Sequence, residues 1–191
     1  MLSEDKRQAI MRSATQVFCE KGLHQAKVEE IAQRAGIAKG TIYLYFASKE
    51  EIFRSVLHTH VDELLAAIKA IVGSEITPEE KLLAFARLQL REISLLVRIA
   101  YSAVSPELIN EPMYKEMLVI QKRIQSQIAA ILTEGVEQGV FRQIDAMHAA
   151  FCFQGILRIH LESALLEATR TWDEESMAEK ICGLFLDGIR A

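Results

Sequence analysis

Lys39, Thr41, Tyr43 and Tyr45 bring one ammonium and three hydroxyls into a short stretch that opens beside Gly40. Donors and aromatic rings of this kind grip phosphates and read the edges of bases. They include no base to activate a nucleophile and no paired carboxylates for proton transfer. Nor does a nucleophile–base pair or a glycine-rich phosphate loop stand out elsewhere in the chain, so catalysis has no evident home. His148 and Cys152 lie four residues apart and could share a metal, yet no third ligand follows at zinc-site spacing. No metal or other cofactor is expected.

The donor stretch needs a scaffold, and the sequence supplies two short helices around a turn. Val28, Ile31, Ala32 and Ala35 recur at helical spacing, and Ala32 is small where a crossing helix comes close. Gly36 ends this helix at a position that calls for positive φ. Ile42 and Phe46 give the next helix an inward face, which leaves Lys39, Gly40, Thr41, Tyr43 and Tyr45 outward. That is the pattern of a helix-turn-helix, whose second helix enters the DNA major groove. Taken singly, each lysine would be read as solvated and each tyrosine as packed on a neighbour; the constellation favours DNA.

The run AGIAKGTIYLYFASKEEIF closely resembles the DNA-binding signature of the tetracycline-repressor (TetR) family of bacterial regulators. Ala14, Val17, Phe18, Gly22, Val28, Ile31 and Ala32 fit the preceding part of that pattern, so the resemblance covers roughly the first quarter of the chain. It implies a role for each matching residue. Lys39 would donate to guanine O6 and N7, and Gly40 would admit the backbone close to the groove. Thr41 and Tyr45 would bond phosphates, Tyr43 a phosphate or a thymine methyl, and Leu44 a thymine methyl. Lys49, in the first turn of the following helix, would hold a phosphate together with the helix N-terminus. Family members often carry Thr or Ser just before the first short helix; Ala26 and Lys27 stand there instead. The lost cap costs on the order of 1 kcal/mol, and Lys27 offers a charge in place of the hydroxyl. Ala38 replaces a common capping Ser in the same way. The resemblance further implies a homodimer built on the last two helices, bound to a palindromic double-stranded operator. The spacing of GLHQAKVEEIA before AGIAKGTIYLYF is similar to that of fatty-acid-metabolism regulators that bind acyl-CoA.

The net charge is −4, which taken alone argues against nucleic acid. Its distribution argues otherwise, because residues 1–50 hold eight Lys/Arg against six Asp/Glu. Cys19, Cys152 and Cys182 are odd in number and far apart, which points to a reducing cytosol rather than a disulfide framework. The opening MLSEDKRQAI lacks the apolar centre of a signal peptide, and no uncharged apolar run reaches the ~18 residues of a membrane span. A cytoplasmic protein is expected.

Start and stop signals predict an all-α chain of about nine helices: a three-helix head over 1–47 and a helical body over 48–191. Ser3 is expected to cap a first helix that stops at Gly22. Ser48 with Glu51, Thr77 with Glu80, and Thr171 with Glu174 have capping-box spacing. They open helices expected over 48–72, from Thr77 to about Tyr101, and over 174–189. Further helices are expected over 113–138 and 145–169, with a short piece between Pro106 and Pro112.

Within the body, Gln89 and Glu92 fall on the apolar arc of Leu82, Phe85, Leu96 and Ile99, where a polar group needs a partner. They are the expected effector contacts, with Met113, Met117 and Phe153 as adaptable walls. The opposite stripe of Glu80, Arg87, Arg91, Ser94 and Arg98 reads as solvated or as an anion site. The 145–169 helix is apolar all round and must be covered on every side. Gly155, Leu161, Ile181, Leu184 and Phe185 are therefore expected at a dimer interface. The leading expectation is a dimeric repressor released from DNA by a small hydrophobic effector; the alternative is an architectural DNA-binding protein with no effector.

Overall fold

The computed structural model describes residues 2–101, 111–166 and 173–191, without the side chains of 2, 3, 92–101, 111–114, 117 and 161–166. Among the described residues eight helices follow one another: α1 (Leu2–Gln25), α2 (Val28–Arg34), α3 (Lys39–Ile42), α4 (Lys49–Val72), α5 (Pro78–Tyr101), α6 (Glu111–Glu137), α7 (Ala146–Leu166) and α8 (Glu174–Ile189). Most of the expected piece between Pro106 and Pro112 lies outside the described residues. No strand forms among those described; one antiparallel bridge joins Phe141 to Arg190. No described helix is long and apolar enough to cross a membrane.

Local chemistry sets most helix ends. Gly22, at φ 70°, kinks α1 where the sequence predicts its end. Ser3 lies inside α1 rather than capping it, because the helix already begins at Leu2. At α5, Thr77 Oγ1 accepts from the Glu80 amide at 3.2 Å while the Glu80 carboxylate accepts from the Thr77 amide at 2.9 Å, with Pro78 at the first helical position. At α4, Ser48 Oγ accepts from the Glu51 amide, but Glu51 reaches back one residue further, to the Ala47 amide. Asp145 caps α7 from outside, accepting from the His148 amide. For α8 the cap is Asp173, which accepts from the Glu175 amide, and not Thr171, which lies outside the described residues.

The described residues divide into two compact units, one of residues 2–63 with 95–101 and one of residues 64–94 with 111–166 and 173–191. One boundary between them falls inside α4. The reason is visible in the first unit's core, which takes Ile52, Phe53 and Val56 of α4 together with Ile10, Ala14, Val17 and Phe18 of α1. Phe18 and Phe53 meet edge to face with ring centroids 5.4 Å apart.

The second core gathers Leu64 and Ile68 of α4, Leu82 and Phe85 of α5, Ile128 and Ile131 of α6, Phe153 and Leu157 of α7, and Phe185 and Leu186 of α8. One charge is buried beside it: the Lys81 ammonium meets both carboxylate oxygens of Glu134, at 2.8 and 2.9 Å. The turn after α6 is tied to the end of α8. The Arg142 amide donates to Ile189 O at 2.9 Å, and its guanidinium donates to Gly188 O. Phe141, buried in this turn, packs against Gly135; a Cβ there would stand 2.1 Å from the ring.

Replacing a helical glycine by alanine ordinarily stabilises by up to about 1 kcal/mol. At Gly135 the ring leaves no space, and overpacking of this kind costs about 1–3 kcal/mol. Gly135→Ala is therefore expected to destabilise the protein, lowering Tm by about 2–4 °C per kcal/mol in a chain of this size. Differential scanning calorimetry of the purified variant checks the sign.

Candidate nucleic-acid interface

The two helices that carry the donor stretch are too short to be stable alone. Lys27 stands at the N-cap of α2 and Ala38 at that of α3, and neither gives a side-chain cap, as the residue types there predict. What holds them is burial of Val28, Ile31, Ala32, Ile42 and Phe46 in the first core. Gly36, at φ 67°, turns the chain between them. The Ile37 amide then bonds Ala32 O at 3.0 Å and the Gly36 amide Gln33 O at 3.2 Å, a Schellman closure of α2.

α3 itself is only Lys39–Ile42. It is shorter than the expected Lys39–Phe46 because it tightens: Leu44 and Tyr45 donate three residues back, to Thr41 O and Ile42 O. Burying Ile42 and Phe46 leaves Leu44 82% and Tyr43 47% exposed. Lys39 and Gly40 are exposed too, while Thr41 and Tyr45 are half-buried. At Gly40 no left-handed φ is required, and a Cβ would meet nothing within 4 Å. Nothing inside the chain asks for glycine there, so the demand, where there is one, comes from an approaching surface.

Charges around α3 are paired across helices. Lys39 Nζ lies 2.6 Å from Glu29 Oε1 and 6.0 Å from the centre of the Tyr43 ring. The hydrogen bond from Lys39 holds the Glu29 carboxyl below the usual carboxylate range. Lys21 pairs with Glu30 at 2.8 Å, and Arg34 with Glu20. Lys27 is exposed.

Lys49 is used differently from the sequence expectation. Its ammonium donates to Leu23 O at 2.6 Å, Ala26 O at 3.1 Å and His24 O at 3.3 Å. These carbonyls close the turn that follows the Gly22 kink, where the regular helical ladder has ended. In the chain without DNA the lysine fixes that turn. The signal was present in the sequence only as a glycine in mid-helix; nothing in it names the partner.

In the second unit, Gln89 is 1% exposed and its Nε2 has no hydrogen-bond partner. The Gln154 Oε1 on α7 is likewise buried without one. Phe153, expected on an effector pocket wall, is fully buried, 4.7 Å from the Phe185 ring and 6.2 Å from that of Phe85. It is a core ring. The side chains of Glu92, Met113 and Met117 lie outside the described residues. Two depressions are lined by described residues. One, of about 350 Å³, involves Ile144, His148, Cys152 and Phe185; the other, of about 420 Å³, involves Arg87, Arg91 and Glu175. Neither includes Gln89 or Phe153. Arg87 pairs with Glu175 and approaches Glu179 at 3.7 Å, which ties its part of the arginine stripe to α8.

The expected dimer residues divide. Ile181 and Phe185 turn inward and are buried. Leu184, 73% exposed, and Gly155, with open space around its Cβ position, turn outward. Leu161's side chain is outside the described residues. Met147, Phe151 and Ile159 extend the outward apolar face of α7, with Phe151 61% exposed. The inward turn of Ile181 and Phe185 follows from α8 supplying half its circumference to the core, which the stripe alone could not orient.

The profile of bacterial regulatory proteins of the tetR family matches residues 10–56. The HTH-type transcriptional repressor KstR2 of Mycobacterium tuberculosis is 31% identical over 139 residues, covering 72% of this chain and 70% of that protein. The chain belongs to the tetR family of bacterial regulatory proteins. The fatty acid metabolism regulator protein of Bacillus subtilis is also 31% identical, over 138 residues, 70% of each chain. Among solved structures, the fatty acid degradation regulator FadR of Bacillus halodurans superposes with a TM-score of 0.74 at 25% identity, over 96% of this chain and 95% of that one. FadR of Bacillus subtilis, solved with stearoyl-CoA, gives the same TM-score at 23% identity, over 96% and 99%, and shows the shared fold.

In a tetR-family chain the two roles for Lys49 separate cleanly. Loss of three carbonyl partners is expected to cost about 1.5–3 kcal/mol in Lys49→Met. Loss of a phosphate contact would instead reduce the slope of log K against log salt by about 0.9. We expect a lower Tm with an unchanged salt slope, measured by thermal denaturation and by fluorescence-anisotropy titration with DNA.

Proposed function

We propose that the protein is a transcriptional repressor that binds a palindromic operator as a homodimer and leaves it when a long-chain acyl ligand, such as a fatty acyl-CoA, enters the second unit. The observation that carries the DNA half is the outward face of α3 and the turn after it: Lys39, Gly40, Tyr43 and Leu44 are exposed while Ile42 and Phe46 are core. Lys39 reads a base edge, Tyr43 and Leu44 lie against the groove, and Thr41, Tyr45 and Lys27 reach phosphates. Lys49 braces the turn behind them.

The ligand half rests on the orphaned Gln89 amide. A buried donor without an acceptor costs about 1–3 kcal/mol, and an acyl carbonyl supplies the missing acceptor. Relatives that regulate fatty-acid metabolism support an acyl chain as the rest of the ligand. An architectural protein without an effector has no use for that unpaired amide. α4 contributes to both cores, so a ligand that prefers one arrangement of the second unit can bias the first through it.

The functional test takes the full-length chain through selection of its site from random duplexes. Palmitoyl-CoA is then titrated into the complex. Wild type is expected to release DNA and to melt at a higher temperature with the ligand, by coupled amounts. Gln89→Leu is expected to keep folding and DNA affinity while weakening the response to ligand by about tenfold, the equivalent of ~1.4 kcal/mol. Release that is identical in wild type and Gln89→Leu would remove this amide from the site.

The outward face of α7 and α8 fits a second copy. Leu184→Glu is expected to shift the protein to monomer in analytical ultracentrifugation and to abolish binding to the palindrome, with the helical content of a single chain retained. A wild-type monomer at micromolar concentration would contradict the dimer.

A further inference from the structure

The pairing of Lys39 with Glu29 is unusual in its setting. An acid beside a DNA-binding lysine weakens attraction to every phosphate equally, so it opposes non-specific binding. Two bland explanations fall short. The positive end of α2 tolerates an acid in its first turn, where Glu29 sits. That does not explain why the carboxylate reaches 2.6 Å from Nζ of a residue on the next helix. An ion pair this exposed, with side chains 49% and 59% accessible, contributes little to stability. The Lys21–Glu30 and Arg34–Glu20 pairs join α1 to α2 and brace the head; among these described pairs Lys39–Glu29 alone joins α2 to the helix that opens the donor face.

The chemistry of the pair matches a base-pair edge. In the major groove a G·C pair presents guanine N7 and O6 as acceptors beside the cytosine N4 amino donor. O6 and N4 are themselves hydrogen-bonded, so they lie about 2.9 Å apart. Lys39 Nζ and Glu29 Oε1 offer a donor and an acceptor at nearly that spacing. The Tyr43 ring beside the ammonium limits where it can swing.

We propose that Glu29 is a specificity-determining residue: with Lys39 it reads one G·C pair in each half-site, the ammonium on guanine O6/N7 and the carboxylate on cytosine N4. This rests on the DNA-binding reading of α3. Lys39 alone would find guanine, but it would also find any phosphate. Glu29 restrains the ammonium in free protein and, on DNA, makes the correct base pair the place where neither charge is left alone. An A·T pair offers no such run of two acceptors followed by a donor.

The test is selection from a random duplex library with the full-length wild type, Glu29→Gln, Lys39→Gln and the double variant. Anisotropy titrations on the chosen site and on unrelated DNA follow. Wild type should fix G·C at one position per half-site. Glu29→Gln should reduce the preference for G·C over A·T there by about tenfold, and should tighten binding to unrelated DNA. In the Lys39→Gln background, adding Glu29→Gln should change base preference at that position no further. If Glu29→Gln tightens all DNA equally and leaves preference at every position unchanged, Glu29 is only a surface charge and the proposal fails. If it loosens preference equally with and without Lys39, the two do not read as a pair, and the proposal also fails. If wild type selects no site and binds no duplex, the DNA reading of α3 falls, and this inference with it.

Discussion

The edge-to-face contact between Phe18 and Phe53 is the constraint on which the recognition surface depends. α2 and α3 lack side-chain caps and are short, so neither has local means to stay helical. They are helices because α1 and α4 offer an apolar bed on which Ile31, Ala32, Ile42 and Phe46 can be buried. The two aromatic rings join α1 to α4 and so define that bed. The same dependence explains why the first unit does not end where the helix-turn-helix ends. Without the first turns of α4 there would be too little apolar surface to close the core.

Charge in the first unit works by position rather than by quantity. Three of its cations are held in cross-helix pairs, and those pairs are exposed enough to be weak. Their value is in fixing where cations stand. Lys49 shows the extreme form: a lysine in a basic-looking segment that addresses three backbone carbonyls. In the second unit the reverse holds at Lys81, whose buried ammonium would be an uncompensated charge without Glu134.

Much of this was legible in the chain. Gly22, Gly36 and Gly139, the capping pair Thr77–Glu80, and the inward spacing of Ile42 and Phe46 all act as their residue types and spacing imply. These features depend on neighbours within a few residues. What escaped the sequence depends on partners far along it. Glu29 and Lys39 sit on different helices, Lys81 finds Glu134 across α5 and α6, and Arg142 finds the end of α8. The apolar stripe of α8 was legible as a stripe. Which of its residues face the core and which face outward was not, because Phe185 and Leu184 have the same affinity for oil and differ only by the turn of the helix. The burial of Phe153 was not legible for the same reason: an aromatic on an all-apolar helix carries no label of its destination.

The missing caps on α2 and α3 have a consequence for genetics. A helix held by its own cap and propensity can lose a distant core contact and still present its face; these two cannot. The residues whose alteration silences the regulator should therefore outnumber those that touch DNA. They extend to Ala32, Ile42, Phe46, Phe18 and Phe53, none of which has a polar atom in its side chain to offer a base. A collection of loss-of-function alleles read as a contact map would draw the interface too large, and much of the excess would trace the core of the first unit.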